Sequence, residues 1–169
     1  EAKWDKMTVR PKLRSLQNTH VLLAGYGEIA RRFEKLLQPF NCKTVSFSRS
    51  QPLQNEQVAL SEADVIFCSM PETDKTRGWF NDRRLALLKP SAIFVNVGRG
   101  GVVDETALLR RLETGQLAAA VLDVTAVEPL PSDHPLWRLP NVLLTQHTAG
   151  GSADETRGIA KFFLANFKR

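Results

Sequence analysis

The chain is poor in the residues that staple a fold covalently or through a metal. Cys42 and Cys68 are its two cysteines, and they form no CxxC pair. Cys68 lies in the apolar run Val65-Ile66-Phe67-Cys68, where a buried thiol behaves as a small hydrophobe. A disulfide framework is not expected, and a cytoplasmic setting is the default. The three histidines, His20, His134 and His147, lack ligand spacing with one another or with cysteine, so no metal site is expected. No apolar run approaches the roughly 18 residues that cross a bilayer, which argues against a membrane partner. The start carries no signal-peptide pattern. Internal repeats and low-complexity segments are also missing. Because residue 1 is Glu rather than Met, the chain reads as a processed or cut piece of something longer.

Acidic residues are in modest deficit: 18 Asp and Glu against 23 Lys and Arg, a formal charge of +5. The cations are scattered as Arg31-Arg32, Arg83-Arg84, Arg110-Arg111 and Lys168-Arg169. Most fall on predicted helices among apolar residues, as solvated outer faces do. No nucleic acid is expected, and an anionic small ligand is a better use for some of this charge.

What the chain does have is an alternation of strand and helix patterns. Its 43% apolar and 24% charged content suffices for one core. Strands are expected at His20–Ala24, Thr44–Phe47, Asp64–Ser69, Ala92–Val97, Leu117–Val124 and Val142–Thr145. Helices are expected at Arg31–Gln38, at 58–63, at Asn81–Leu88, at Asp104–Thr114 and from Ser152 to Phe167. Asn81 or Asp82, and Asp104, are the candidate N-caps. A short helix at Trp4–Val9 is also conceivable. Residues 125–141 hold Pro129, Pro131, Pro135 and Pro140 and read as a long ordered loop without helix. This order points to an α/β, Rossmann-type, doubly wound parallel sheet in a single domain. Residues 1–18 form a connector and residues 19–169 a dinucleotide-binding domain.

The phosphate cradle is Gly25-Tyr26-Gly27-Glu28-Ile29-Ala30, between the first strand and its helix. One glycine permits the tight turn, the next lets backbone approach a pyrophosphate, and the small alanine lets helix pack on strand. The helix N-terminus offers its free N–H groups to the phosphates. Glu28 must point outward if this holds. At the end of the second strand, where a carboxylate would grip the ribose of NAD, stands Ser48-Arg49-Ser50. A guanidinium flanked by hydroxyls suits a 2′-phosphate, which favours NADP while leaving NAD possible.

Arg99, Glu128 and His147 each come after a strand. Ligands of open parallel sheets bind outside the carboxyl ends of the strands, so a cation, a carboxylate and an imidazole can meet there. Each taken singly has a bland reading, as a turn cation or a loop residue; it is the ordered set behind a glycine fingerprint that points to chemistry. His134, Trp79 and Trp137 read as structural anchors.

The ordered motifs resemble the D-isomer-specific 2-hydroxyacid dehydrogenases, in their cofactor-binding domain. They are the glycine turn; Met70-Pro71-Glu72-Thr73 with Thr76-Arg77-Gly78; Leu87-Leu88-Lys89-Pro90; Asn96-Val97-Gly98-Arg99-Gly100 with Val103-Asp104; Leu122-Asp123-Val124; Glu128-Pro129-Leu130; His134-Pro135-Leu136; and Pro140-Asn141-Val142 leading to His147. The resemblance runs from about His20 to Asn166. It implies that Arg99 holds the substrate carboxylate, that His147 is the general acid–base, and that Glu128 hydrogen-bonds His147. It implies cofactor contacts from Gly25, Gly27, Glu28, Ile29, Ser48, Arg49, Ser50, Met70, Pro71, Thr76, Val97, Gly98, Asp123, His147, Ala149 and Gly150. The resemblance further implies a substrate lobe that is a separate, mostly N-terminal segment, and this chain is expected to lack it. The final helix resembles the one that closes the cofactor domain.

The chain departs from the pattern in three places. Gln146 stands where the family often has proline. The stretch from Arg49 to Asp64 is short, so its helix is expected to be trimmed or absent. The acidic residue after the second strand is missing. Glu128 is retained, which argues against the formate-oxidising branch. A small 2-oxo or 2-hydroxy acid is the implied substrate, with glyoxylate or hydroxypyruvate reduction first, in a homodimer. The fragment by itself should turn over little. A nucleotide-sensing, corepressor-like interaction module on the same scaffold is the alternative, and a purely structural dimerisation domain is a third.

Overall fold

A computed structural model describes residues 13–167. The short helix considered at Trp4–Val9, most of the connector and the terminal Lys168-Arg169 pair lie outside the described residues. Six strands form one parallel sheet in the order β2-β1-β3-β4-β5-β6. They are β1 (His20–Ala24), β2 (Lys43–Phe47), β3 (Val65–Cys68), β4 (Ile93–Asn96), β5 (Ala119–Leu122) and β6 (Val142–Leu144). The register sets Val21 beside Val65, Val65 beside Ile93, and Ile93 beside Ala119, so the carboxyl ends of β1, β3, β4 and β5 share one rim.

Alternation along the strands divides the core between two faces. Leu22, Ile66, Phe94 and Leu122 face one layer of helices: α2 (Glu56–Glu62), α3 (Asp82–Leu85) and α4 (Glu105–Glu113). These helices contribute Leu60, Leu85, Leu108 and Leu112. Val21, Leu23 and Phe67 face the opposite layer, where α1 (Glu28–Leu37) sets down Ala30 and Leu37. Phe33 of α1 stacks on Phe67 with ring centroids 4.1 Å apart. Helices therefore cover both faces, which is the doubly wound arrangement the sequence predicts.

Local chemistry explains the helix starts. The side chains of Asn55, Asn81 and Asp104 each accept a backbone N–H three residues on, at 3.1, 3.0 and 3.0 Å. Each bond satisfies a donor that the first turn leaves free. α1 begins three residues earlier than its sequence pattern suggests, directly at Gly27, with Glu28 in the first turn where an anion suits the dipole. The helix before β3 is present over seven residues, so the short Arg49–Asp64 stretch trims it without removing it.

Two expectations need correction. The proline-rich segment is not helix-free: Pro135–Arg138 form a 3-10 turn capped by His134, whose Nδ1 accepts the Leu136 N–H at 3.3 Å. Proline is accommodated because the first helical position needs no N–H. The final helix, α5 (Glu155–Phe167), exposes its apolar residues Ile159, Phe162, Phe163 and Phe167, so it does not close the domain in this chain. Trp79 is an anchor as expected, stacked on Phe47 at 4.5 Å, with the Arg84 guanidinium 4.3 Å from its ring. Trp137 anchors a loop, donating its Nε1–H to the Pro131 carbonyl at 2.9 Å. Both cysteines are free thiols, and burial pushes Cys68 up to about 12.

Candidate functional site

The turn after β1 is built around two glycines in different circumstances. Gly25 has φ +87°, and a Cβ there would lie 2.9 Å from the backbone nitrogen of Met70. Its N–H donates to the Phe47 carbonyl at 3.0 Å, and its carbonyl accepts the Ser69 hydroxyl at 2.9 Å. Gly27 has open space where a Cβ would stand. A bare backbone at the mouth of α1, beside free helix N–H groups, fits a dinucleotide pyrophosphate. Glu28 points outward and pairs with Arg31 at 3.0 Å, which removes the objection of a carboxylate facing phosphate. Ile29 is exposed. Tyr26 donates its hydroxyl to Glu34, which also accepts from Thr44 Oγ1 at 2.6 Å, so the turn, α1 and β2 are tied together.

Ser48, Arg49 and Ser50 succeed β2 on the same rim. A tight reciprocal pair joins Ser48 and Gln51, whose N–H groups each reach the other's carbonyl at 2.8 and 3.2 Å. The Ser48 and Ser50 hydroxyls are 3.1 Å apart, and Arg49 is exposed beside them. No ion pair with Arg49 occurs among the described residues.

After β3, Met70 is buried, and the chain at Pro71 is held by Thr76, whose hydroxyl donates to the Pro71 carbonyl at 2.6 Å. After β4 comes Val97 and then Gly98, whose missing side chain admits the Met70 carbonyl (2.4 Å from a notional Cβ). Asn96, 1% exposed, is a residue that sequence reasoning left out of the site. Its Oδ1 accepts the Gly98 N–H at 3.1 Å and its Nδ2 donates to the Arg99 carbonyl at 3.0 Å, so a buried amide shapes the turn that presents Arg99. Arg99 donates from Nη1 to the Gly98 carbonyl at 2.7 Å. Gly100 then passes against the Thr125 carbonyl, 1.8 Å from where a Cβ would be, which brings the segment after β4 against the segment after β5.

His147 and Glu128 meet. The imidazole Nδ1 lies 2.7 Å from Glu128 Oε2, while Glu128 Oε1 accepts the Thr125 N–H at 3.1 Å. The bond to His147 holds the Glu128 carboxyl below its ordinary value, against the opposing effect of desolvation. The Thr125 N–H and the charges of His147 and Arg99 add to this. Asp123, 6% exposed, organises the neighbouring loop. Its Oδ1 accepts Thr145 Oγ1 at 2.6 Å, Thr148 N–H at 2.8 Å and Ala149 N–H at 3.0 Å. Burial alone would raise its carboxyl, but these donors and the His147 charge bring it below the ordinary range. Gly150 is open to solvent.

A cavity of about 410 Å³ adjoins the pair, lined by Leu122, Pro129, Leu130, Trp137 and Leu144 with Glu128 and His147 at its polar side. Arg99 is not among the residues lining this cavity, but its charge acts on the Glu128 carboxyl. His134 lies 3.5 Å from Glu105 and caps its own turn, a structural role. Among the described residues no group of three His, Cys, Asp or Glu is placed to hold a metal, and no helix is long and apolar enough to cross a membrane.

Comparison with known proteins gives this rim a lineage. Residues 1–149 match the family model described as D-isomer specific 2-hydroxyacid dehydrogenase, NAD binding domain. A glyoxylate reductase of Aeropyrum pernix is 37% identical over 145 residues, 80% of this chain and 43% of the relative. A D-isomer specific 2-hydroxyacid dehydrogenase family protein from Aeromonas salmonicida superimposes with a TM-score of 0.84 at 36% identity, covering 92% of this chain and 53% of that one. One from Xanthobacter autotrophicus, solved in complex with NADPH and MES, gives 0.77 at 36% identity, covering 82% and 47%. The chain spans about half the length of the curated relatives it matches. With the strand order, the glycine turn and the family match in agreement, this chain belongs to the D-isomer specific 2-hydroxyacid dehydrogenases and carries their NAD-binding domain.

Proposed function

We propose that the chain is the cofactor-binding half of a reductase that interconverts a small 2-oxo acid and its D-2-hydroxy acid, with NADP as the preferred cofactor. The observation that carries the reading is the 2.7 Å contact between His147 Nδ1 and Glu128 Oε2. Reduction of a carbonyl requires a proton for its oxygen, and histidine titrates in the range where that transfer is efficient. Glu128 fixes the tautomer and orientation of the ring, leaving Nε2 to give or take the proton. Formate oxidation involves no such transfer, so the intact pair supports 2-oxo acid chemistry. Arg99, permanently charged, binds the substrate carboxylate through its fork and stabilises charge that develops on the carbonyl oxygen.

A nicotinamide bound at this rim would supply or accept the hydride. Gly25 and Gly27 with the first turn of α1 hold its pyrophosphate, and Glu28 and Ile29 lie alongside. Ser48, Arg49 and Ser50 take the 2′-phosphate. Met70, Pro71, Thr76, Val97 and Gly98 floor the groove, and Asp123, Ala149 and Gly150 lie toward the nicotinamide end. Glyoxylate or hydroxypyruvate is the first substrate choice, in keeping with a relative named glyoxylate reductase. Exposed Leu36 and Phe40 around the end of α1, and Val127 and Leu143 in the β5–β6 region, support homodimerisation.

The test is turnover by the full protein that carries this domain, against a panel of 2-oxo acids with NADPH and NADH. Reduction of glyoxylate or hydroxypyruvate, lost on His147→Ala and Arg99→Ala, is the expected result. Cofactor binding with no turnover of any 2-oxo acid would overturn it in favour of a sensing module.

A further inference from the structure

Residues 48–55 join β2 to α2 and begin with Ser48, Arg49 and Ser50. Within the loop, the reciprocal Ser48–Gln51 pair closes a turn, and Leu53 packs against the core. Further ties lie at its two ends. Phe47, the residue before the loop, stacks on Trp79 with ring centroids 4.5 Å apart. Glu56, the residue after it, accepts from Arg84: Nε and Nη2 each lie 2.9 Å from its Oε2. The same guanidinium lies over the Trp79 ring, 4.3 Å from its centroid, and donates from Nη1 to the Trp79 carbonyl at 2.9 Å. Arg84 thus ties down both ends of the loop. It covers the indole that Phe47 stacks on, and it binds the carboxylate that follows the loop. A flat cation with a fork of donors can do both at once, which the point charge of lysine cannot.

This tie is anchored in the core. Trp79 meets Phe80 edge-on at 4.7 Å, and Phe80 meets Phe94 of β4 at 4.8 Å, both phenylalanines being fully buried. The Arg84 side chain is 20% exposed, so water and salt screen its bond to Glu56 less than they screen a surface pair. Arg83 also reaches Glu56, at 2.8 Å from Oε1, but from an exposed position where an ion pair contributes little. We propose that Arg84 is a positioning residue for the adenosine end of the cofactor: acting through Trp79 and Glu56, it holds the Ser48–Gln51 turn where Arg49 reaches a 2′-phosphate. The proposal rests on the reading of Arg49 as the ligand of that phosphate.

Two readouts on the 169-residue chain test it: amide hydrogen exchange, and titration with NADPH and NADH followed by nicotinamide fluorescence. Arg84→Met keeps a long side chain and loses the fork. Its Ser48 and Gln51 amides should exchange faster, while the amides of β4 keep their wild-type rates and report an intact fold. NADPH affinity should fall about fivefold or more, and NADH affinity much less. In an Arg49→Ala background the same substitution should change NADPH affinity by less than about twofold, because the group it positions is gone. Glu56→Ala releases the loop from its far end, should reproduce the pattern, and serves if Arg84→Met does not fold. Where Arg49→Ala alone weakens NADPH binding, three results overturn the proposal: wild-type exchange or wild-type NADPH affinity in a folded variant, equal losses of NADPH and NADH, or an undiminished effect in the Arg49→Ala background. Where Arg49→Ala alone leaves NADPH affinity unchanged, the reading of Arg49 falls. Exchange then judges Arg84 by itself: faster exchange keeps it as the clamp of the turn, and wild-type exchange removes it.

Discussion

Gly25 and Met70 touch across the tops of β1 and β3, with a notional Cβ on Gly25 only 2.9 Å from the Met70 backbone nitrogen. Gly25→Ala therefore has to move backbone and also hold a side chain at φ +87°, which we expect to cost about 2 kcal/mol or more. Gly27→Ala meets no protein atom within 4 Å and should change stability by only about 0.5 kcal/mol. It should nonetheless weaken NADPH binding about tenfold or more, because the methyl occupies the approach to the pyrophosphate. Urea unfolding and cofactor titration of both variants separate the two effects. Unchanged affinity in Gly27→Ala would remove the cradle assignment.

Arg49→Ala should reduce NADPH affinity about tenfold or more and leave NADH binding nearly unchanged, since only the former has a 2′-phosphate for the guanidinium. Nicotinamide fluorescence measures both. Equal losses would show that Arg49 is a solvated loop cation. Raising the salt should narrow the NADPH–NADH difference, because the residue is exposed.

Asp123 links the site to acid stability. Its folded carboxyl sits below the ordinary 3.8, so the unfolded chain binds that proton more readily. The stability this contributes is complete above the unfolded value and drains as pH falls through the lower, folded one. Asp123→Asn removes that proton uptake. The gap between wild-type and variant urea midpoints should be widest near neutral pH and shrink as pH falls below about 4. A gap independent of pH would mean that the carboxylate charge is not what holds the 145–149 loop. Glu128 contributes with the same sign, discounted for solvent screening because its side chain is 38% exposed.

The N-cap of α4 offers a purely structural control. Asp104→Ala removes the acceptor for the Ala107 N–H and should cost about 1 kcal/mol without altering cofactor affinity. A matching fall in NADPH binding would tie this helix to the site in a way the geometry does not suggest.

The sheet is readable in the sequence because buried strands show as apolar runs bounded by turns, and β1 falls on its expected residues without a shift. The sequence pattern starts α1 late because the apolar face it is read from, Phe33, Leu36 and Leu37, begins well inside the helix, whose first turn carries Glu28 paired with Arg31. Asn55 is hidden in a polar stretch, where a cap looks like any loop residue. At the rim, Arg99, Glu128 and His147 can be named because β4, β5 and β6 are neighbours and deliver the residues after them to one place. The work of Asp123 cannot be read, since its partners lie 22 to 26 residues away and are selected by tertiary structure. Nor can that of Asn96, whose amide acts through a turn conformation. Gln146 and His147 both adopt left-handed backbone, with φ of +55° and +57°, and no glycine or asparagine marks that turn in the sequence.

The strand order bears on how the chain is made. β1 lies between β2 and β3, and every pairing in the sheet is parallel. On a ribosome releasing residues one after another, one flank of β1 finds its neighbour when residue 47 has emerged, and the other waits for residue 68. A nascent chain is thus left for about twenty residues of elongation with the buried residues Val21, Leu22, Leu23 and Ala24 on a strand bare along one edge, and that interval is when holding factors have most to offer it.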